Sequence, residues 1–183
     1  KLVIYTMSLA THAAIDTVLV VDVSSAKVEC SQLTSHPPTG YTAARLSPDN
    51  RRLYLSRSEF PYHRRRYTIR CLDLATGKEL WETEPQRADG LTTMAISPDG
   101  RVLASGSGFE VSKIRIWDAT TGRLLDMLTG HDSWVAELLF SRDGRRLISA
   151  ADESIRFWDT NTWLETKVLR GHRSGITAMT ISE

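Results

Sequence analysis

The chain has 183 residues, of which 41% are hydrophobic and 25% charged, and its formal net charge is +1. A chain of this size can bury an ordinary core without a disulfide framework, and so balanced a charge excludes binding to polyanions through bulk charge alone. The two cysteines, Cys30 and Cys71, have neither CxxC nor Cys/His metal spacing. They are therefore predicted to be small buried apolar residues.

The predicted elements begin with two short apolar stretches at residues 1–4 and 19–22. Asp16 and Asp22 interrupt the apolar sequence around the second stretch, so no membrane span is predicted. No initiator Met and no signal peptide precede the first stretch, which favours a processed product or an excised piece. We expect the protein in the cytoplasm.

Further along the chain, one turn sequence occurs three times, at residues 47–50, 97–100 and 141–144. The copies read Ser-Pro-Asp-Asn, Ser-Pro-Asp-Gly and Ser-Arg-Asp-Gly. Because Pro presets φ and Gly or Asn tolerates a positive φ, each copy is predicted to be a β-turn. Apolar segments precede and follow each copy, so the turn is expected to join two strands, a and b.

A second landmark, an alternating strand that ends in aspartate, lies between these turns. Residues 114–118 (Ile-Arg-Ile-Trp-Asp) and 155–159 (Ile-Arg-Phe-Trp-Asp) are nearly identical, and residues 69–73 and 19–22 are weaker copies without the tryptophan. A turn and a further strand-like segment follow each copy. The chain therefore repeats a unit of four short strands, a to d, which predicts an all-β protein.

The gaps between the two landmarks indicate where the units differ in length. From each strand-c aspartate to the next turn aspartate the gaps are 27 (22 to 49), 26 (73 to 99) and 25 (118 to 143) residues. From each turn aspartate to the strand-c aspartate they are 24 (49 to 73), 19 (99 to 118) and 16 (143 to 159) residues. The extra residues therefore lie between strands b and c, at 56–67 and 106–113, where we expect surface loops.

Two Trp-Asp pairs, at residues 117–118 and 158–159, and two Gly-His pairs, at 130–131 and 171–172, resemble the signature of WD-repeat (WD40) β-propellers. Both kinds of pair recur after 41 residues (118 to 159 and 131 to 172), close to the family period of about 40–45 residues. The resemblance implies four blades' worth of four-stranded antiparallel blades, as b-c-d, three full blades and a lone strand a. The units are about 1–36, 37–87, 88–130 and 131–172, with strand a of a further blade at 173–183.

Two further expectations follow from the resemblance. The Ser-Pro-Asp-Gly turns resemble those of bacterial WD-repeat proteins, in which propellers accompany kinase or NTPase domains as sensors, so the chain is expected to be the sensor or regulatory part of a larger protein. An open arc of four blades would leave two apolar faces in water, so the remaining blades are expected from a longer parent chain. A second copy that closes an eight-bladed ring and a four-bladed ring are the alternatives.

For the blade at 131–172 the resemblance implies a structural hydrogen-bond network that joins His131, Asp152, Ser149 and Trp158. Such a network satisfies buried polar groups and therefore serves folding rather than catalysis. His172 holds the equivalent Gly-His position of the next unit. The preceding unit has Asp89-Gly90 where Gly-His is expected, so its Trp117 must be held in another way.

One loop is chemically distinctive because it is strongly basic. Residues 45–70 contain eight arginines against Asp49 and Glu59, a local charge of +6. The loop tip contains Phe60, Tyr62, His63, Arg64, Arg65 and Arg66. These side chains are interpreted as a solvated loop that protects strand edges, as a docking surface for protein, or as a platform for single-stranded nucleic acid. Trp134, three residues after His131, either packs under a loop or contributes to an interaction surface.

The sequence shows no catalytic constellation, no metal-ligand spacing and no cofactor motif. Residues 106–108 (Gly-Ser-Gly) match only the first two glycines of a dinucleotide-binding motif, and no helix is predicted after them. We therefore predict a non-enzymatic scaffold that presents a rigid loop face to protein partners. The alternative is nucleic-acid or polyanion binding through the arginine-rich loop. A hydrolase with acidic and His residues around a central channel is a remote second alternative.

Overall fold

The computed structural model describes residues 2–6, 17–22, 27–32, 39–59, 66–87, 91–108 and 112–181. Every regular element within these ranges is a β-strand, and all pairings are antiparallel. The all-β fold of short-stranded blades that the repeat predicts is therefore confirmed. The chain divides into two compact units, Lys1–Arg87 and Ala88–Glu183.

The first unit contains two sheets. Blade one is a three-stranded sheet of β1 (Leu2–Thr6), β2 (Thr17–Asp22) and β3 (Lys27–Gln32). Blade two follows the order β4 (Thr39–Leu46), β5 (Arg52–Glu59), β6 (Arg66–Asp73) and β7 (Glu79–Glu82), and a short β8 (Gln86–Arg87) also pairs with β6. Leu53, Leu55 and Leu72 form the apolar centre of blade two.

The second unit contains two four-stranded sheets in which spatial order follows chain order. Blade three consists of β9 (Leu91–Ile96), β10 (Val102–Ser107), β11 (Ile114–Asp118) and β12 (Leu124–Leu128). Blade four consists of β13 (Val135–Phe140), β14 (Arg146–Ala151), β15 (Ser154–Asp159) and β16 (Glu165–Arg170).

This meander places the connections at two opposite ends of each blade. The a–b and c–d turns lie at one end, here called the turn end, which in blade four comprises residues 141–145 and 160–164. The b–c turn and the start of strand a lie at the other, here called the loop end, which in blade four comprises residues 131–134 and 152–153.

Blades three and four share one hydrophobic core. Ile114, Ile116 and Leu128 of blade three pack in a cluster with Leu138, Leu147 and Trp158 of blade four. All of Ile114 to Trp117 is buried, so strand c of blade three is covered on both faces. A Cβ on Gly106 would lie 2.8 Å from the Val135 Cβ, so glycine is required where the two blades approach. The Thr92 hydroxyl also donates to the Val135 carbonyl at 2.6 Å.

The three Ser-x-Asp turns are closed by their own side chains. The Ser97 hydroxyl donates to the Asp99 carboxylate at 2.6 Å and accepts from the Val102 amide at 2.9 Å, and Ser47 and Ser141 make the same two bonds in their turns. Asn50, Gly100 and Gly144 occupy the left-handed region at φ 57°, 72° and 70°. These conformations agree with the turn chemistry that the sequence predicts.

Two expectations differ from the structure. The described part of the b–c insertion at 56–67, namely residues 56–59 and 66–67, is strand, because β5 and β6 extend their pairing from Ser56 opposite Ile69 to Glu59 opposite Arg66. Extension pairs the backbone groups of the added residues and buries Tyr67, which a free loop would leave in water.

At the C-terminal end, residues 171–181 contain no strand, although a strand a is expected from residue 173. A strand requires hydrogen bonds to a neighbouring strand, and these described residues form no such ladder. The segment is instead held by the Ile176 amide, which donates to the Asp152 carbonyl at 2.9 Å. The Ile176 side chain is buried.

Candidate interaction surfaces

A buried hydrogen-bond chain crosses blade four from the loop before strand a to strand c. The His131 Nε2 atom lies 2.7 Å from the Ser149 Oγ atom, and the Trp158 indole N–H donates to the same oxygen at 2.9 Å. All three side chains are buried, and His131 is 7% exposed. The chain therefore ties the loop to two strands of the blade through one shared serine hydroxyl.

The imidazole of His131 is neutral. The pKa of His131 falls from 6.5 to about 4, mainly because the ring is buried; the Arg156 guanidinium acts in the same direction, and the Asp152 carboxylate opposes both effects. The Nδ1 atom of His131 has no hydrogen-bond partner among the described residues. This buried, neutral ring has the properties of a structural group rather than of a catalytic base.

Asp152 differs from what the family resemblance implies. Its carboxylate accepts a hydrogen bond from the Asp132 backbone amide at 3.2 Å and forms no hydrogen bond with His131. Asp152 lies in a two-residue turn between β14 and β15 at φ 52°, and this turn holds its carboxylate against the loop backbone. Asp152 thus closes the loop end directly and influences His131 through charge.

Arg156 is a member of this cluster that sequence reasoning missed. It is buried and forms an ion pair with Glu165 of strand d. A Cβ on Gly130 would lie 2.9 Å from the Arg156 Nη1 atom, so the glycine of the Gly-His pair leaves room for the guanidinium. The available signal was the arginine at the same position of three c strands, at residues 70, 115 and 156.

Blade three holds its tryptophan with a serine alone. The Trp117 indole N–H donates to Ser105 Oγ at 2.9 Å, and Ser105 occupies in β10 the position that Ser149 occupies in β14. Blade three lacks the Gly-His pair, and its Trp117 is held instead by this single bond to Ser105. The counterpart serine in strand b was the sequence signal.

The loop end of blade four presents one large apolar side chain to solvent. Trp134 is 42% exposed, while Val135, which begins strand a, is buried. Asp132, two residues before Trp134, is exposed, and so is Glu153 in the b–c turn at the same end of the blade. Asp152 in that turn is partly buried. The loop end therefore combines an exposed aromatic side chain with exposed acidic residues.

The arginine-rich loop falls only partly within the described chain. Arg66 begins β6 and is partly buried. Phe60, Tyr62, His63, Arg64 and Arg65 lie outside the described residues. His172, the other Gly-His histidine, is exposed.

No group of three or more His, Cys, Asp or Glu side chains in the described ranges is placed to hold a metal ion. Burial raises the pKa of the Cys71 thiol to about 12, so this thiol is a poor nucleophile at neutral pH. The side chain of Cys30 lies outside the described residues. None of the described elements is a helix long and apolar enough to cross a membrane.

Part of the chain matches a known repeat family. A family model described as WD domain, G-beta repeat (WD40), matches residues 77–118 and 122–159. The periodic tryptophan protein 2 homolog of Neurospora crassa is 39% identical over 77 residues, which are 42% of this chain and 8% of that protein. The WD repeat and SOCS box-containing protein 1 of Danio rerio is 31% identical over 137 residues, which cover 69% of this chain and 32% of that protein.

Solved structures agree with the fold. The structure described as RRP9 WD40 repeats is 26% identical with a TM-score of 0.66, and the match covers 78% of this chain and 42% of that one. A chain of the mitotic checkpoint complex is 18% identical with a TM-score of 0.73 and covers 88% of this chain and 48% of its own, which shows the fold alone. This chain thus spans less than half of each relative and neighbour described. The relatives are eukaryotic, so they give no support to the bacterial resemblance of the Ser-Pro-Asp-Gly turns.

Proposed function

Because the chain carries WD40 repeats, at residues 77–118 and 122–159, we propose that it is a non-enzymatic scaffold that binds protein partners through the loop end of its blades. WD40 repeat proteins generally serve as interaction scaffolds, and this fold-level analogy supplies the class of function. For this chain the proposal is carried by Trp134, which is exposed at the loop end although the strand that follows it begins in the core. Tryptophan is among the residues most enriched at interface hot spots.

The surroundings of Trp134 fit such a role. Asp132 is exposed and Asp152 partly buried, and the Asp132 amide bound to the Asp152 carboxylate fixes the loop that carries the indole. An apolar anchor on a fixed loop within a polar rim is the usual anatomy of a protein interface. We extend the proposal to the sequence between β5 and β6 of blade two, because residues 60–66 include the aromatic and arginine residues that interfaces favour. We further propose that the chain is the sensor or regulatory part of a larger protein; its cytoplasmic location stays a prediction.

Affinity capture with a matched pair of variants tests this proposal. Trp134→Ser is expected to lose the proteins that the wild type captures, because it removes the anchor. Leu80→Ser is the control, since Leu80 is 46% exposed but lies on outer strand β7. Both variants are expected to keep their stability within about 0.5 kcal/mol, as ordinary surface substitutions do. Equal capture by wild type and Trp134→Ser would contradict the assignment of the surface.

The local charge of +6 in residues 45–70 favours a second candidate, binding to nucleic acid through the arginine-rich loop. Neutralising Arg64–Arg66 would then lower the affinity for a single-stranded oligonucleotide and flatten its salt dependence. Binding that is insensitive to salt and to these substitutions would eliminate this candidate and leave the protein scaffold unaffected.

A further inference from the structure

Blades three and four have the same backbone framework at the turn end. In both c–d turns the strand-c aspartate carboxylate accepts from two backbone amides of the turn, at 2.8 and 2.9 Å for Asp118 and at 2.9 and 3.0 Å for Asp159. The amides of Gly122 and Trp163 each donate to the corresponding aspartate carbonyl at 2.8 Å. These bonds make Gly122 and Trp163 equivalent positions, and Arg123 and Leu164 the positions that follow.

Trp163 is an unfavourable residue for this position. Its φ is 57°, whereas the equivalent glycines, Gly77 and Gly122, are at 70° and 73°. The left-handed region disfavours a residue with a bulky side chain, so the framework alone does not account for tryptophan. The indole is partly buried against the core, and Leu164 beside it is 67% exposed, the largest exposure among the large apolar side chains of the described residues.

The neighbouring a–b turn of blade four adds positive charge next to the c–d turn that carries Trp163 and Leu164. Thr160 joins the two turns, because its amide donates to the Arg145 carbonyl at 3.1 Å and its hydroxyl to the Gly144 carbonyl at 2.8 Å. Arg142, Arg145 and Arg146 are exposed there. Arg142 replaces the proline of the other two turns, and Arg146 replaces Val102 of blade three.

The carboxylates of this patch are engaged within the turns. Asp143 accepts from the Ser141 hydroxyl and the Arg145 amide at 2.6 and 3.0 Å, and Asp159 accepts from the amides of its own turn. Within the described residues, neither carboxylate forms an ion pair with a guanidinium of Arg142, Arg145 or Arg146. The two joined turns therefore present three exposed arginines together with Trp163 and Leu164.

We propose that Arg142, Arg145, Arg146, Trp163 and Leu164 form a docking surface, at the turn end of blade four, for an acidic segment of a protein partner that carries one large apolar side chain. Guanidinium groups bind carboxylates in bidentate geometry, and the indole and Leu164 supply the apolar contact. An exposed Leu164 contributes nothing to the binding of a phosphate backbone but provides a contact for an apolar side chain, so an acidic peptide that carries such a side chain fits better than a nucleic acid. This surface lies at the opposite end of the blade from Trp134.

The chain itself supplies a folding-safe variant for the test. The double variant Trp163→Gly with Leu164→Arg gives the c–d turn of blade four the residues of blade three, and Arg142→Pro restores the residue of the other two a–b turns. The probe is a short fluorescein-labelled peptide of Asp and Glu with one central Phe, and its binding to the full chain is measured by anisotropy.

The double variant raises the positive charge of the chain, which separates docking from nonspecific attraction. Docking predicts that its affinity for the probe falls about tenfold, whereas nonspecific electrostatics predicts an increase. Arg142→Pro is expected to weaken binding as well. Arg101→Ala and Arg123→Ala, at the turn end of blade three, are matched controls that should change the affinity less than about twofold.

Three results would overturn the proposal. They are no saturable binding of the probe by the wild type, undiminished binding by the double variant, and equal or tighter binding of a labelled oligouridylate at the same surface. Unfolding midpoints of all variants, measured in urea, establish that each remains folded.

Discussion

Ser149→Ala is expected to destabilise the protein about twice as much as Ser105→Ala. Ser149 Oγ is the partner of both the Trp158 indole and His131, whereas Ser105 Oγ is the partner of the Trp117 indole. A buried polar group left without a partner costs about 1–3 kcal/mol, so Ser149→Ala should lower the free energy of unfolding by about 2–6 kcal/mol and Ser105→Ala by about 1–3 kcal/mol. The small void left by each hydroxyl is the same in both variants and does not affect their difference.

Equilibrium unfolding in urea, followed by tryptophan fluorescence and far-UV circular dichroism, measures both free energies. The two serines lie in the same compact unit, so they share one unfolding reference. Adding His131→Leu to Ser149→Ala removes one of the two unpartnered groups, and the loss should then approach that of Ser105→Ala. Equal losses for the two single variants, within about 0.5 kcal/mol, would refute the reasoning, because the bond between His131 and Ser149 would then contribute nothing.

Three further predictions concern acid, packing and the thiol. Because the pKa of His131 falls from 6.5 to about 4 on folding, the unfolded chain binds more protons between these values. The free energy of unfolding is therefore unaffected by this group above pH 6.5 and declines by about 3 kcal/mol as the pH falls towards 4. The same decline in the His131→Leu variant would contradict the assignment to His131. Gly106→Ala should cost about 1–3 kcal/mol in thermal unfolding because its Cβ would meet Val135, whereas Gly175→Ala, whose Cβ would meet only the Asp152 carbonyl at 3.8 Å, should change stability little. Cys71 should resist alkylation near pH 8 in the folded protein and react after unfolding, as followed by mass spectrometry of its peptide; rapid labelling in the native state would disprove its burial.

The sequence was sufficient for the fold because strand order follows from landmarks that recur. The Ser-x-Asp turns and the Trp-Asp strands indicated which segments pair. Hydrogen-bond partners of side chains depend instead on which of several nearby groups lies at the right distance and angle in the folded chain. The Asp152 carboxylate binds a loop amide rather than His131, a choice that spacing cannot decide.

Loop length was the other feature that spacing could not settle. The gap between landmarks gives the number of inserted residues, but it does not show whether they lengthen the two paired strands of the hairpin or form an unpaired loop. Burial of Tyr67 and continued backbone pairing favoured extension to Glu59 and Arg66. For the proposed interaction surfaces, composition singled out the arginine-rich loop, whereas the sequence left open whether Trp134 is packed or exposed, and its 42% exposure comes from the structure.

In the Ser-x-Asp turns, the residues that close the turn are different from the residue whose side chain lies between them. Serine and aspartate make the closing bonds, and the residue between them takes no part in those bonds, so Pro48, Pro98 and Arg142 occupy it within the same geometry. That intervening position accepts residues that differ in charge and size, as proline and arginine show, within the same turn bonds. A protein built from such turns can acquire or lose a binding specificity by single substitutions at the edge of one blade, without passing through a misfolded intermediate sequence.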